Sequence, residues 1–177
     1  YHIVGWMKRF AEISCEIYSN RIAEKLSTLI IRPGNLYGPH DKFDPSKSKV
    51  IPSLIRKIVK NEFPLEVWGD GNDIKDFIYI DDFIDGLLSA VEKSKFHDLF
   101  NICNGKSVTI KDVINNLLEI ENKMDMKIKY DASKPTMIPI RLISGEKAKN
   151  EIGFTSKISL YDGLNKTINW YRRQYNQ

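Results

Sequence analysis

A short strand that runs straight into chain breakers and then into a polar loop limits this chain more than any other feature. Thr28-Leu29-Ile30-Ile31 is apolar and rich in β-branched residues. Periodicity alone would also admit a buried helix, but the run is too short for one and is stopped by Pro33 and Gly34. Next along the chain is Asn35-Leu36-Tyr37-Gly38-Pro39-His40-Asp41-Lys42-Phe43, turn formers packed around a titratable histidine. In α/β proteins the loop at a strand end is where chemistry is placed. Asn35 and His40 are therefore expected to project from the carboxyl end of a buried parallel strand.

Helical and strand patterns alternate along the rest of the chain. Phe10, Ile13 and Ile17 recur at helical spacing and predict a helix over 4–24, followed by the strand over 28–32 and a polar loop over 38–49. Pro52 opens a helix with Leu54, Ile55, Ile58 and Val59 on one face. Leu65-Glu66-Val67-Trp68 alternates like a half-buried strand; Gly69-Asp70-Gly71-Asn72 then separates it from Asp76-Phe77-Ile78-Tyr79-Ile80, which reads as two short strands around a turn. Asp81 or Asp82 is expected to cap the next helix, whose stripe is Phe83, Ile84, Leu87, Leu88 and Val91. Leu99–Cys103 predicts a second core strand, and Thr109 with Asp112 a capping box for a helix through Leu118. A strand at Lys127–Tyr130, a loop at Lys134–Pro139 and an amphipathic helix at Leu160–Tyr175 complete the pattern. This order is that of an α/β fold, with no internal repeat.

Composition narrows the function classes. With 177 residues, of which 42% are hydrophobic, the chain can bury a core. Its 27 basic and 23 acidic residues are interspersed, which argues against a nucleic-acid surface. No apolar run reaches membrane-spanning length and no signal segment opens the chain, so a cytoplasmic protein is expected. Cys15 and Cys103 are isolated, and the 3 histidines have no ligand spacing, so neither a disulfide nor a metal is expected. The chain opens at Tyr1, within a few residues of a helical pattern and without an initiator Met, and further sequence is expected upstream.

Five segments in order carry a family resemblance: Lys8 in a helix, Arg32-Pro33-Gly34-Asn35-Leu36-Tyr37-Gly38-Pro39-His40, Val50-Ile51-Pro52, Val67-Trp68-Gly69-Asp70-Gly71, and Tyr79-Ile80-Asp81-Asp82. Together they resemble the C-terminal part of extended short-chain dehydrogenase/reductases, the NAD-dependent epimerase/dehydratase family, that act on nucleotide sugars. Asn35 to Pro52 most resembles the GDP-L-fucose synthase group. The resemblance implies the C-terminal part of a Rossmann-type doubly wound sheet with a small α/β substrate-binding domain. Residues 1–36 and about 76–105 would belong to the NAD(P)-binding part, and about 37–75 and 106–177 to the sugar-nucleotide part. It implies NAD or NADP as cofactor, a GDP-hexose or related sugar as substrate, and a homodimer formed through the first helix and its neighbour Pro52–Lys60. A nucleotide-sugar 4-dehydrogenase or 4-epimerase, or a catalytically inactive remnant or binding module, remain as alternatives.

The resemblance also assigns residues. Lys8 matches the lysine that holds the nicotinamide ribose and lowers the pKa of a tyrosine one helical turn earlier, where this chain has Val4. Tyr1 lies on nearly the same face, but about 10 Å along a helix from Lys8 instead of about 6 Å. His40 is similar to a histidine that exchanges protons at carbons flanking a keto group, a task suited to a pKa of about 6.5. Its usual thiol partner is not assigned to Cys15 or Cys103. Pro33 and Gly34 would pass close to the nicotinamide, and His40 would also border it. Asn35, Lys75 and Arg141 would face the substrate diphosphate, Lys75 standing where the family tends to have an arginine, and Trp68 would stack on the ligand or end its strand in the core. No Gly-x-x-Gly-x-x-Gly turn follows any strand, so the usual pyrophosphate cradle is not in these residues.

Overall fold

Three helices with the same spacing of apolar residues build the larger of two cores. The computed structural model describes residues 2–136 and 138–175, so Tyr1 lies outside the described residues. In chain order the elements begin with helix α1 (His2–Asn20), strands β1 (Thr28–Pro33) and β2 (Asn35–Tyr37), helix α2 (Val50–Val59), strands β3 (Leu65–Trp68), β4 (Ile74–Lys75) and β5 (Phe77–Tyr79), and helix α3 (Ile80–Lys93). Strands β6 (His97–Ile102) and β7 (Val108–Thr109), helix α4 (Ile110–Ile120), strands β8 (Ile128–Asp131) and β9 (Ile140–Arg141), a π-helical turn (Ala148–Ile152) and helix α5 (Leu160–Tyr175) complete the chain.

Ile51, Leu54, Ile55, Ile58 and Val59 of α2 are buried, as are Ile110, Val113, Ile114, Leu117 and Leu118 of α4, so each helix turns one stripe inward. They meet Leu164, Ile168 and Tyr171 of α5, together with Leu65 and Val67 of β3. Each such side chain contributes on the order of 1.5–3 kcal/mol by leaving water. The expected capping box starts α4: Thr109 Oγ1 accepts the Asp112 N–H at 3.0 Å, and Asp112 Oδ2 accepts the Thr109 N–H at 2.8 Å. Gly163 lets α5 close on β2 and β5, since a Cβ there would lie 2.9 Å from Tyr37 Cζ and 3.1 Å from Tyr79 Cδ2.

The second core surrounds the parallel pair β1–β6, in register from Thr28 with His97 to Pro33 with Ile102. Ile78, Ala90, Phe100, Ile102, Ala148, Ile152 and Phe154 fill it. Residues 148–154, expected with the sugar-nucleotide part, thus pack on α3 and β6. The other parallel pairs are β2–β5 and β3–β8, and β4 pairs antiparallel with β7 and parallel with β9. This is the expected α/β arrangement, with parallel strands and flanking helices.

Several expectations need correction. β1 is half-buried instead of buried, because among the described residues it pairs on one edge, with β6. The two short strands around the Gly69–Asn72 turn form as expected, β3 and β5, with β4 (Ile74–Lys75) as an addition; Gly69 and Gly71, both at φ 78°, make the turn, and β3 takes β8 as partner. The apolar face of α2 is inside the larger core while α1 packs on β1 and β6, so the two helices do not form one joint surface. Neither aspartate caps α3. Tyr79 is its N-cap, and the buried Asp82 carboxylate instead accepts from Ser156 Oγ at 2.6 Å, Lys157 N at 3.1 Å and Ile158 N at 2.9 Å.

Asp82 therefore ties α3 to the chain leading into α5. Asp82→Ala is expected to lower the unfolding free energy by about 2–4 kcal/mol, because two backbone N–H groups lose a charged acceptor in a buried place. Urea denaturation measures this, and a loss below about 0.5 kcal/mol would leave Asp82 only its weak interaction with the helix dipole.

Candidate functional site

The carboxyl edge of β1–β6 gathers most of the residues singled out from the sequence. Helix α1 runs antiparallel to β1. At one end Ser19 Oγ donates to Leu26 O at 2.8 Å and lies 2.7 Å from Thr28 Oγ1, where β1 begins. At the other, the Glu12 carboxylate takes both Nε and Nη2 of Arg32, at 2.7 and 2.6 Å, where β1 ends. Lys8 lies one turn before Glu12 on the same face of α1. The Arg32 guanidinium, followed by that of Arg9, holds the Glu12 carboxyl down at about 2.

Past β1 the chain is fastened from below. Gly34 N donates to Ile102 O at 2.9 Å, and a Cβ on Gly34 would stand 3.0 Å from Asp76 Oδ1 and 3.4 Å from Cys103 Cβ. Asp76 is the residue that sequence reasoning misses, since the pattern marks it only as the start of a strand. Its carboxylate, 2% exposed, accepts the N–H groups of Asn104 at 2.9 Å and Gly105 at 2.7 Å. Its carbonyl accepts both Asn35 N at 2.9 Å and Asn35 Nδ2 at 2.7 Å. Burial pushes the Asp76 carboxyl up, against the two N–H donors that pull it down. A charged residue directly before the wholly apolar buried run Phe77-Ile78 is the available signal. Beside it, burial pushes the Cys103 thiol up to about 11, so it stays protonated at neutral pH and is a weak nucleophile.

Asn35 faces Arg141, whose Nη1 donates to Asn35 Oδ1 at 3.3 Å, and Arg141 pairs across β4–β9 with Lys75. The three residues expected at a diphosphate thus share one edge. Lys75 is engaged there by Asp73 at 3.0 Å and by the carbonyls of Ile138 and Pro139. Trp68 is 60% exposed at the end of β3, so it is not a core residue. The His40 backbone is left-handed, at φ 65°, and its ring sits 4.7 Å from that of Trp170 on α5. With Asp41, Trp170, Gln174 and Tyr175 it lines a shallow cavity of about 310 Å³.

The sequence profile of the NAD dependent epimerase/dehydratase family matches residues 5–103. The chain belongs to that family. Among its relatives, GDP-L-fucose synthase 1 of Arabidopsis thaliana is 32% identical over 162 residues, 89% of this chain and 49% of that protein. UDP-glucose 4-epimerase of Thermotoga maritima, solved with UDP-glucose, superposes with a TM-score of 0.85 at 25% identity over 96% of this chain and 53% of that one. UDP-glucuronic acid 4-epimerase of Bacillus cereus, solved as a point mutant with NAD and a 4-deoxy-4-fluoro analogue of its substrate, gives 0.80 at 27% identity over 93% of this chain and 50% of that one. The chain spans about half the length of the relatives it matches.

For an epimerase/dehydratase family chain the dinucleotide fit is partial. Pro33 and Gly34 stand at a strand's carboxyl end, the side on which open α/β sheets take ligands, while the glycine-rich turn for a pyrophosphate is not among these residues. Among the described residues no helix is long and apolar enough to cross a membrane.

Because the latch depends on the ionised Glu12, its contribution is full above pH 4.5 and fades as pH falls toward about 2. Glu12→Gln is expected to cost about 1–2 kcal/mol at pH 7, after allowance for solvent around Arg32, and under about 0.5 kcal/mol at pH 2. Urea denaturation of both proteins across this range tests it; a difference that does not depend on pH would mean that the ion pair does not hold α1.

Proposed function

We propose that this chain forms the sugar-nucleotide end and the nicotinamide-side wall of an NAD(P)-dependent nucleotide-sugar epimerase/reductase of the GDP-L-fucose synthase kind, with a GDP-hexose or related sugar as substrate. The observation that carries the reading is Arg141 beside Asn35 at the carboxyl edge of the parallel strands. A guanidinium has five N–H donors in a planar fork suited to phosphate oxygens, and among the described residues one of Arg141's is engaged, by Asn35. The spare amide hydrogen of Asn35 adds a neutral donor next to it. In this reading Trp68 offers an exposed ring face to the ligand, and the backbone at Pro33 and Gly34 borders the nicotinamide. Lys8 holds its ribose. When bound, the nicotinamide supplies or removes a hydride, and His40 exchanges the proton at the carbon being epimerised.

In this reading 1–36 and about 76–105 serve the cofactor and about 37–75 and 106–177 the sugar nucleotide, with segments exchanged between the two cores: Phe77 and Tyr79 lie in the larger one, and Ala148, Ile152 and Phe154 in the one around β1–β6. α1 leaves Trp6 63%, Met7 67% and Phe10 72% exposed, which fits a homodimer of the intact enzyme through that helix. A 4-epimerase is the second reading, favoured by the close backbone likeness to the Thermotoga UDP-glucose 4-epimerase.

Calorimetric titration of the chain with GDP and with UDP separates these readings. GDP is expected to bind more tightly than UDP, and Arg141→Ala to weaken GDP by about 10- to 100-fold, as for one charge-assisted contact. NAD(P) alone is expected to bind weakly or not at all, for want of the glycine turn. Equal affinity of wild type and Arg141→Ala for both nucleotides would overturn the assignment, and preference for UDP would select the 4-epimerase reading.

A further inference from the structure

Lys75 and Arg141 are register partners across β4–β9, and charge alone would give them the same task. Their hydrogen bonds separate them. A lysine ammonium has three N–H donors, and those of Lys75 are matched by Asp73 Oδ2 at 3.0 Å, the Ile138 carbonyl, and the Pro139 carbonyl at 3.5 Å. The Lys75 side chain is only 13% exposed, and the neighbouring Asp73 carboxylate balances its charge. A phosphate oxygen would have to displace one of these acceptors. Arg141 needs no such displacement, since among the described residues its exposed fork spends one donor on Asn35.

β9 needs an anchor. It is two residues long and both are exposed, Ile140 by 62%, so apolar burial contributes little to its place. Backbone pairing supplies part of the hold, through Ile74 N donating to Pro139 O at 2.7 Å. The Lys75 ammonium supplies a second hold on the same carbonyl and a first on that of Ile138. A compact ammonium can point its hydrogens at two carbonyls and a carboxylate from different sides, which a planar guanidinium cannot do equally well. A lysine at this position therefore suits the pinning of a neighbouring segment better than it suits forked recognition of a diphosphate.

We propose that Lys75 is a positioning residue: it pins the 138–139 carbonyls, fixes β9 on β4, and so holds Arg141 beside Asn35, while the bound diphosphate is met by Arg141 and Asn35 without a direct bond from Lys75. This deepens the diphosphate assignment and rests on it.

A double-mutant cycle with GDP as the probe tests it. Lys75→Met is expected to weaken GDP binding several-fold in the wild-type background and by less than twofold in Arg141→Ala, because Lys75 acts through Arg141. Losses that multiply, with Lys75→Met as costly in either background, would make Lys75 a direct ligand and overturn the proposal. Amide hydrogen exchange on the nucleotide-free chain gives a second readout. Exchange at Ile74 should accelerate at least tenfold in Lys75→Met while core amides such as that of Leu117 keep their protection, and an unchanged Ile74 amide would refute the pinning. If the wild-type chain binds no GDP, the diphosphate assignment falls, and the Ile74 amide still decides whether Lys75 holds the segment.

Discussion

One buried carboxylate holds the carboxyl edge of this molecule together. Asp76 stands between β4 and β5, and its two oxygens take the N–H groups just past β6 while its carbonyl takes both nitrogens of Asn35, which opens β2. Three loop ends are thereby fixed around one residue. An ionised group in such a place costs several kcal/mol unless its oxygens are satisfied, and two backbone donors are what offset that cost here. Gly34 is small because the same carboxylate occupies the space where a side chain would be. Removing the Asp76 contacts would release the Asn35 amide, and with it the partner that orients Arg141.

The cations at this edge divide by how they are held. Arg32 is spent on the Glu12 latch, Lys75 on carbonyls and Asp73, and Arg141 on a single long bond to Asn35. Among the described residues Lys75 has all three donors matched, Arg32 has two of five on Glu12 and Arg141 one of five on Asn35. A group whose donors are all matched gains nothing from a ligand unless it gives up a partner. Net charge cannot reveal it, since all three residues count equally there.

Regular elements are legible in the sequence wherever their information is local. The bounds of α5, Leu160–Tyr175, come from its apolar stripe, and the Thr109–Asp112 box marks the start of α4. The strand expected over 28–32 is readable from β-branching, but it runs on through Pro33, and Asn35–Tyr37, expected as loop, forms β2 because β5 offers it a partner far along the chain. Pairing is not readable, since β3 chooses β8, a partner far along the chain, over its neighbour across a glycine turn. Asp82 looks like a helix cap because capping is a local rule, yet its donors lie at residues 156–158, visible only once the chain is folded. Of the site, Asn35, Lys75 and Arg141 are identified by motif position and do converge. His40 is identified with them, and its contact with the Trp170 ring on α5 is visible only in the fold.

Amide hydrogen exchange on Asp76→Asn, which removes one acceptor oxygen, tests whether Asp76 organises the edge at which the nucleotide is proposed to bind. The expected result is faster exchange at Asn104 or Gly105 and at Asn35, with α4 amides unchanged and GDP affinity reduced. Unchanged protection at all three amides together with unaltered GDP affinity would contradict it.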